Sequence, residues 1–348
     1  MILFVKSVWM HPGDLGDSSE SIRKAFSRLA DHGFTKIFLF VKSHGNVIYP
    51  TRHEAKFVLE GWKGGSDPLK EAVEIAHNVG IEIHATFVVF CEGVWKGRGV
   101  PSEPGYWLSR HMDLVQIGRH RGPLPEEELK PILRWADPAK EEVRNYEKNL
   151  ILEVVENYEI DGVQLDYIRY PEEAFGCFCE YCRNKFRSLF GIDPLDIKEP
   201  DNSLSLWIDW RANNITSFVK ELHDEIKAIN SKISLSAAVF KDYPRCLIMV
   251  GQDWVKWIEE GLVDFVCPMT YEFNSRVAKY LARSHRAVAG GDAIIYEGLG
   301  KRTSQSILSP KEVKLQAEFF KEEKANGITV FAYSSLTDED LSMLDQLG

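Results

Sequence analysis

The chain has few cysteines, no long apolar run and no surplus of basic residues, and each shortage excludes something. Six cysteines in 348 residues are too few to build a disulfide scaffold. No stretch of about 18 uninterrupted apolar residues occurs, so nothing reads as a membrane-spanning helix. Acidic residues outnumber basic ones 52 to 42, and the net charge of −10 argues against nucleic acid or an anionic membrane as partner. No Gly-x-Gly-x-x-Gly follows the first apolar run; the chain there reads Trp9-Met10-His11-Pro12-Gly13, which disfavours a dinucleotide-binding open sheet. The opening Met1-Ile2-Leu3-Phe4-Val5-Lys6 lacks the regions of an export signal, so a cytoplasmic location is expected.

What is present is a regular alternation of strand and helix patterns. Short runs rich in Val, Ile and Phe occur at Leu3–Trp9, Lys36–Lys42, Glu82–Phe90, Gly162–Ile168, Ile233–Phe240, Asp264–Tyr271, Ala293–Leu299 and Ile328–Ser334. Such runs suit parallel strands covered on both faces. Between them, Ser21–Ala30 places Ile22, Phe26 and Leu29 on one helical face. Asp67-Pro68 and Asp137-Pro138 both read as an N-cap followed by proline at the first helical position. Further helices are expected over Ser205–Ile229, Asp253–Glu260 and Pro310–Asn326, with Gly33, Gly80, Gly261 and Gly327 marking helix-to-strand turns. Eight such units predict one domain over residues 1–348, a (β/α)8 TIM barrel with enlarged loops after strands 3 and 4.

In a barrel the chemistry sits where strands end. Strand 4 reads Asp161-Gly162-Val163-Gln164-Leu165-Asp166-Tyr167-Ile168-Arg169-Tyr170-Pro171. Period two sends Val163 and Leu165 to the helix layer, so Gln164 and Asp166 face the barrel interior. Strand 6 carries Glu272 just past its end, strand 7 carries Glu297, and strand 5 ends in Lys241-Asp242. Carboxylates grouped at one mouth are what glycosidic cleavage needs. Trp9, Lys42, His44, His84, Glu92 and Trp95 cluster on strands 1 to 3; Trp9 and Trp95 could stack on sugar rings while His44 and Lys42 bind hydroxyls. The insert after strand 4 holds Cys177-Phe178-Cys179-Glu180-Tyr181-Cys182, which could hold a structural zinc with a fourth ligand from Cys91 or a histidine, or could form a disulfide or remain free.

Several blocks together resemble a known family. They are Val47-Ile48-Tyr49-Pro50-Thr51-Arg52-His53-Glu54, Asp67-Pro68-Leu69, Ala76-His77-Asn78-Val79-Gly80-Ile81-Glu82-Ile83-His84-Ala85, Trp135-Ala136-Asp137-Pro138, the strand 4 block, and Pro268-Met269-Thr270-Tyr271. They are similar to the glycosyl-hydrolase-like 10 proteins over nearly the whole chain. The resemblance implies a TIM barrel and a glycoside hydrolase, and one bacterial class of the family is associated with cutting peptidoglycan glycan strands.

The expectation is therefore a glycosidase acting on an oligo- or polysaccharide through two carboxylates, without a catalytic cofactor. Asp166 is expected to be the ionised nucleophile, paired to Arg169 or a tyrosine hydroxyl, with Glu272 or else Glu297 as the acid. Trp9, His44, His84, Trp95, Arg169 and Tyr271 are expected to bind substrate. Two alternatives belong to other classes: a non-catalytic carbohydrate-binding barrel, and a metal-dependent hydrolase or deacetylase built on His11, His44 and His84.

Overall fold

Runs of Val, Ile and Phe that have no polar face must be covered on both sides, and a ring of strands inside a ring of helices does that. The computed structural model describes residues 4–59, 61–94, 102–119, 129–172, 174–198 and 202–347. Its eight central strands are β1 (Val5–Met10), β2 (Lys36–Ser43), β3 (Glu82–Val88), β4 (Gly162–Asp166), β5 (Ser234–Val239), β6 (Phe265–Pro268), β7 (Tyr296–Gly300) and β8 (Gly327–Phe331). All pair in parallel and in chain order, and β8 returns to β1 with Val5 opposite Gly327. A parallel bridge from Val266 to Ile295 brings β6 to β7, so the sheet curls into the expected barrel.

The helices are α1 (Ser19–Asp31), α2 (Pro68–Asn78), α3 (Glu141–Asn157), α4 (Glu180–Phe190), α5 (Ser203–Ile229), α6 (Arg245–Val250), α7 (Trp254–Glu259), α8 (Ser275–Ala289), α9 (Pro310–Glu322) and α10 (Asp338–Leu344). Helix α2 starts as its sequence dictates: the Asp67 carboxylate accepts the Lys70 N–H at 3.1 Å and Pro68 occupies the first turn. Asp137 does not repeat this. Helix α3 begins only at Glu141, with Lys140 as its N-cap, and Asp137 folds back to accept the Ala139 N–H at 3.1 Å. Helix α8 has no counterpart in the sequence reading. Its buried positions are Ala278, Ala282 and His285, so small residues and a histidine face the barrel there. Gly33, Gly80 and Gly261 adopt left-handed φ as expected, but Gly327 does not; there a Cβ would meet the Val5 carbonyl oxygen at 2.4 Å, so close strand approach requires glycine.

Side chains fill the barrel from below upward. Phe38, His84, Phe265 and Tyr296 stack across its lower part, with centroid distances of 5.1 Å for Phe38–His84 and 4.8 Å for Phe265–Tyr296. Above them Trp9 packs edge-on against Tyr271 and Phe331. The enlarged loops after β3 and β4 lie on the C-terminal side; the first contains a hairpin of Val115–Arg119 with Leu129–Ala136, the second contains α4. Among the described residues no helix is long and apolar enough to cross a membrane.

Candidate active site

The parity argument for β4 holds in the structure. Gln164 accepts the Trp9 indole N–H at 2.6 Å and its own amide approaches Cys267 Sγ at 3.3 Å, both inside the barrel. Two residues on, Asp166 emerges at the mouth and is 8% exposed. Its Oδ1 accepts the N–H of Tyr167 at 2.7 Å, and Tyr167 takes a φ of 50° that turns the chain off the strand. Among the described residues that amide is the one group hydrogen-bonded to the Asp166 carboxylate. Burial pushes this carboxyl up to about 6, against the opposing pull of the Tyr167 amide and the Arg169 charge.

Asp166 lies in a cleft of about 440 Å³ that is also lined by Tyr167, Arg169, Phe240, Tyr271 and Phe331. Arg169 makes no ion pair with Asp166. Its guanidinium is held by ring faces instead, 5.1 Å from Trp135, 4.9 Å from Tyr167 and 4.4 Å from Phe240. Two more carboxylates reach the same cleft, Glu172 from the loop after β4 and Asp242 from the end of β5, and both are exposed. A second hollow of about 760 Å³ adjoins the first across Tyr167 and Phe331, and His11, His44 and Arg134 line it. Burial, with Arg134 and Lys42 nearby, lowers the His44 imidazole to about 4. Burial also lowers His11, which stacks on Phe40 at 4.8 Å. Both rings are therefore predominantly neutral near pH 7 and suited to hydrogen-bonding rather than to holding an anion.

The sequence model of the glycosyl hydrolase-like 10 proteins matches residues 5–303. This chain belongs to that family. It is 24% identical over 269 residues to the glycosyl hydrolase DigH of Escherichia coli, covering 71% of this chain and 57% of DigH. It is 23% identical over 300 residues to the glycosyl hydrolase YngK of Bacillus subtilis, covering 78% and 54%. An S-layer-related protein of Niallia circulans is 25% identical over 334 residues, covering 79% of this chain but 19% of that protein. The chain thus spans less than two thirds of the curated relatives it matches. Among solved structures, the PgaB (BpsB) glycoside hydrolase domain of Bordetella bronchiseptica superposes with a TM-score of 0.76 at 11% identity, covering 98% of each chain. The β-amylase catalytic domain of Paenibacillus polymyxa gives 0.69 at 13%, covering 99% and 97%. At such identities these two share the fold.

Within this family member the anticipated site residues separate into two groups. Asp166, Arg169 and Tyr271 share the first hollow, and His44 lies in the second. The others go elsewhere. Trp9 is 1% exposed and is spent as barrel packing under Tyr271 and Phe331. His84 is fully buried between Phe38 and Phe265 near the N-terminal end of the strands, where a Cβ on Gly162 would meet its ring, so it joins neither sugar binding nor a metal site with His11 and His44.

Glu297 follows Tyr296, which points into the barrel, so period two turns it outward. There it meets His285 of α8 at 3.0 Å and the Thr270 hydroxyl at 2.6 Å, 1% exposed and away from the cleft. Glu272 lies four residues beyond β6 and pairs with Lys241 at 2.6 Å, outside the cleft lining. Lys42 is fully buried, turned outward at a bulge in β2 toward Glu92 and toward Glu147 of α3 at 2.8 Å. Trp95 lies outside the described residues.

The sequence reading missed the cleft roles of Phe240, Glu172 and Asp242. The Lys241-Asp242 pair after strand 5 was a visible signal for the last. It also missed the fourth partner of the thiol cluster. Cys177, Cys179 and Cys182 are free cysteines, and with Asp137 they place four potential ligand atoms within 4.8 Å of one another. Cys91 is not among them; its backbone pairs antiparallel with that of Trp135.

Proposed function

We propose that this chain hydrolyses glycosidic bonds of an oligo- or polysaccharide, with Asp166 as the proton donor rather than the nucleophile. The observation that carries the reading is the state of Asp166. A carboxyl at the floor of a cleft, fixed by one amide, without an ion pair among the described residues and pushed up to about 6, keeps a proton available near neutrality. A general acid needs that property, whereas a nucleophile needs the opposite. Asp242, exposed at the end of the adjacent β5, and Glu172, exposed in the loop after β4, are the carboxylates that the cleft offers as base or nucleophile. Arg169 and Tyr271 would orient sugar hydroxyls, and the Phe331 ring would stack on a sugar. Two adjoining hollows suit a chain of sugars rather than a single one.

The family and the glycoside hydrolase neighbours support this class of reaction; the assignment of Asp166 rests on its surroundings alone. The test is Asp166→Asn, which keeps an Oδ1 acceptor for the Tyr167 amide. On unactivated glycans, turnover should fall by about a hundredfold or more while binding persists. On aryl glycosides with a good leaving group, which needs no proton, the loss should be far smaller. An equal loss on both substrates would make Asp166 a nucleophile, and an unchanged rate would remove it from the chemistry.

A further inference from the structure

We propose that Asp137, Cys177, Cys179 and Cys182 form a structural zinc site that ties together the enlarged loops after β3 and β4. This inference does not rest on the hydrolase reading. Asp137 follows the hairpin of the loop after β3, whereas the three cysteines come from the loop after β4. The Asp137 Oδ2 lies 3.0 Å from Cys182 Sγ and 3.5 Å from Cys179 Sγ. In a tetrahedral site with Zn–S of about 2.3 Å and Zn–O of about 2.0 Å, sulfur and oxygen ligands stand about 3.5 Å apart. The cluster is already near that spacing.

Three further features fit a metal better than packed thiols. Asp137 is fully buried, and no cation pairs with it among the described residues; thiols are weak partners for a buried carboxylate. Its Oδ1 is occupied by the Ala139 N–H at 3.1 Å, which leaves Oδ2 as the ligand atom. Backbone amides also point at the sulfurs: Ile117 donates to Cys177 at 3.4 Å, and Cys182 donates to Cys179 at 3.5 Å. Such N–H···S bonds orient thiolate ligands and offset their charge. Three sulfurs and one carboxylate with no open position describe a closed structural site, and this donor set favours zinc over magnesium or calcium. On binding, each Zn–S bond that forms releases one thiol proton to solvent, and no oxidation occurs.

The full chain, purified under reducing conditions without chelator, incubated with Zn2+ and desalted, should retain about one zinc per chain by elemental analysis. All six cysteines should titrate as thiols after denaturation in chelator. Cobalt in place of zinc should give the intense visible bands of a tetrahedral ion and the charge-transfer absorbance of three thiolates. Cys177→Ser and Asp137→Asn should each weaken zinc retention by about tenfold or more. The cobalt spectrum is taken on the unmutated chain and stands even if a variant misfolds. Less than about a tenth of a zinc per chain with no tetrahedral cobalt spectrum would overturn the site, as would a disulfide among the three cysteines or zinc retention indifferent to both substitutions.

Discussion

Asp166→Asn should make the protein more stable at neutral pH while it disables turnover, and the size of the gain follows from burial. In the unfolded chain this carboxyl titrates at the ordinary 3.8, whereas in the fold it titrates at about 6. Between those two values the folded state binds more protons than the unfolded state, so stability falls as pH rises from about 4 to about 6 and then levels off. The difference corresponds to at most about 3 kcal/mol lost by pH 7. The residual 8% exposure of Asp166 screens its charge in part, so about 1–2 kcal/mol is expected. Asparagine keeps the acceptor for Tyr167 and removes the charge, and so recovers that amount. Urea unfolding of both proteins from pH 4 to pH 8 should show curves that coincide at the acid end and separate through pH 6, the variant being the more stable. A variant equally or less stable at pH 7, or a gap independent of pH, would refute the claim that Asp166 is a buried and unpaired carboxyl. The outcome also bears on function, because a catalytic group that costs stability is the usual sign of a site built against the fold's own preference.

Other substitutions separate the cleft from its surroundings. Glu272→Gln, outside the cleft lining, should lower kcat/KM by less than about tenfold on any glycan the protein cleaves, far less than Asp166→Asn. Arg169→Gln removes the nearby positive charge that holds the Asp166 carboxyl down, so the alkaline limb of the rate profile should move to higher pH, which a pH titration of kcat/KM reads directly. Lys42→Met leaves Glu92 and Glu147 buried without their cation and should cost about 3–5 kcal/mol in urea unfolding, with no change in m-value.

How legible the molecule was depended on whether local pattern or long-range contact decided the matter. All eight strands were readable, because parallel strands covered on both faces leave an apolar run that no polar alternation disguises. The direction of Asp166 was readable from alternation within its strand: Gln164 and Asp166 share a face, and β4 is regular from Gly162 to Asp166. Glu297 failed because it obeys the same rule in the opposite sense, and its direction depended on knowing that Tyr296 points inward. Lys42 failed at an irregularity, since the bulge in β2 shifts the register and period two no longer counts correctly across it. Asp137 was misread because an Asp-Pro pair before a helical pattern is a good capping signal in its own right, as Asp67-Pro68 demonstrates. Nothing in the local sequence could show that three cysteines about 40 residues downstream would close around it.

The interior explains why the mouth takes the form it does. Trp9 spans the barrel between Gln164, which it hydrogen-bonds, and the rings of Tyr271 and Phe331, which it supports from below. Gln164 and Asp166 are successive inward residues of one strand, so the hydrogen bond that fixes Gln164 also limits how far the end of β4 can shift. Tyr271, which lines the first hollow, and Phe331, which borders both, are thereby held against the strand that carries the acid. A side chain expected to touch sugar instead sets the floor on which the cleft rests, and this gives Trp9 an influence on the site without any contact with substrate. Shortening it would lower stability by about 3–5 kcal/mol through the cavity it leaves. It would also let Tyr271 and Phe331 settle, so any loss of binding from Trp9→Ala should come with loosened rings rather than with a change in the pH at which Asp166 titrates.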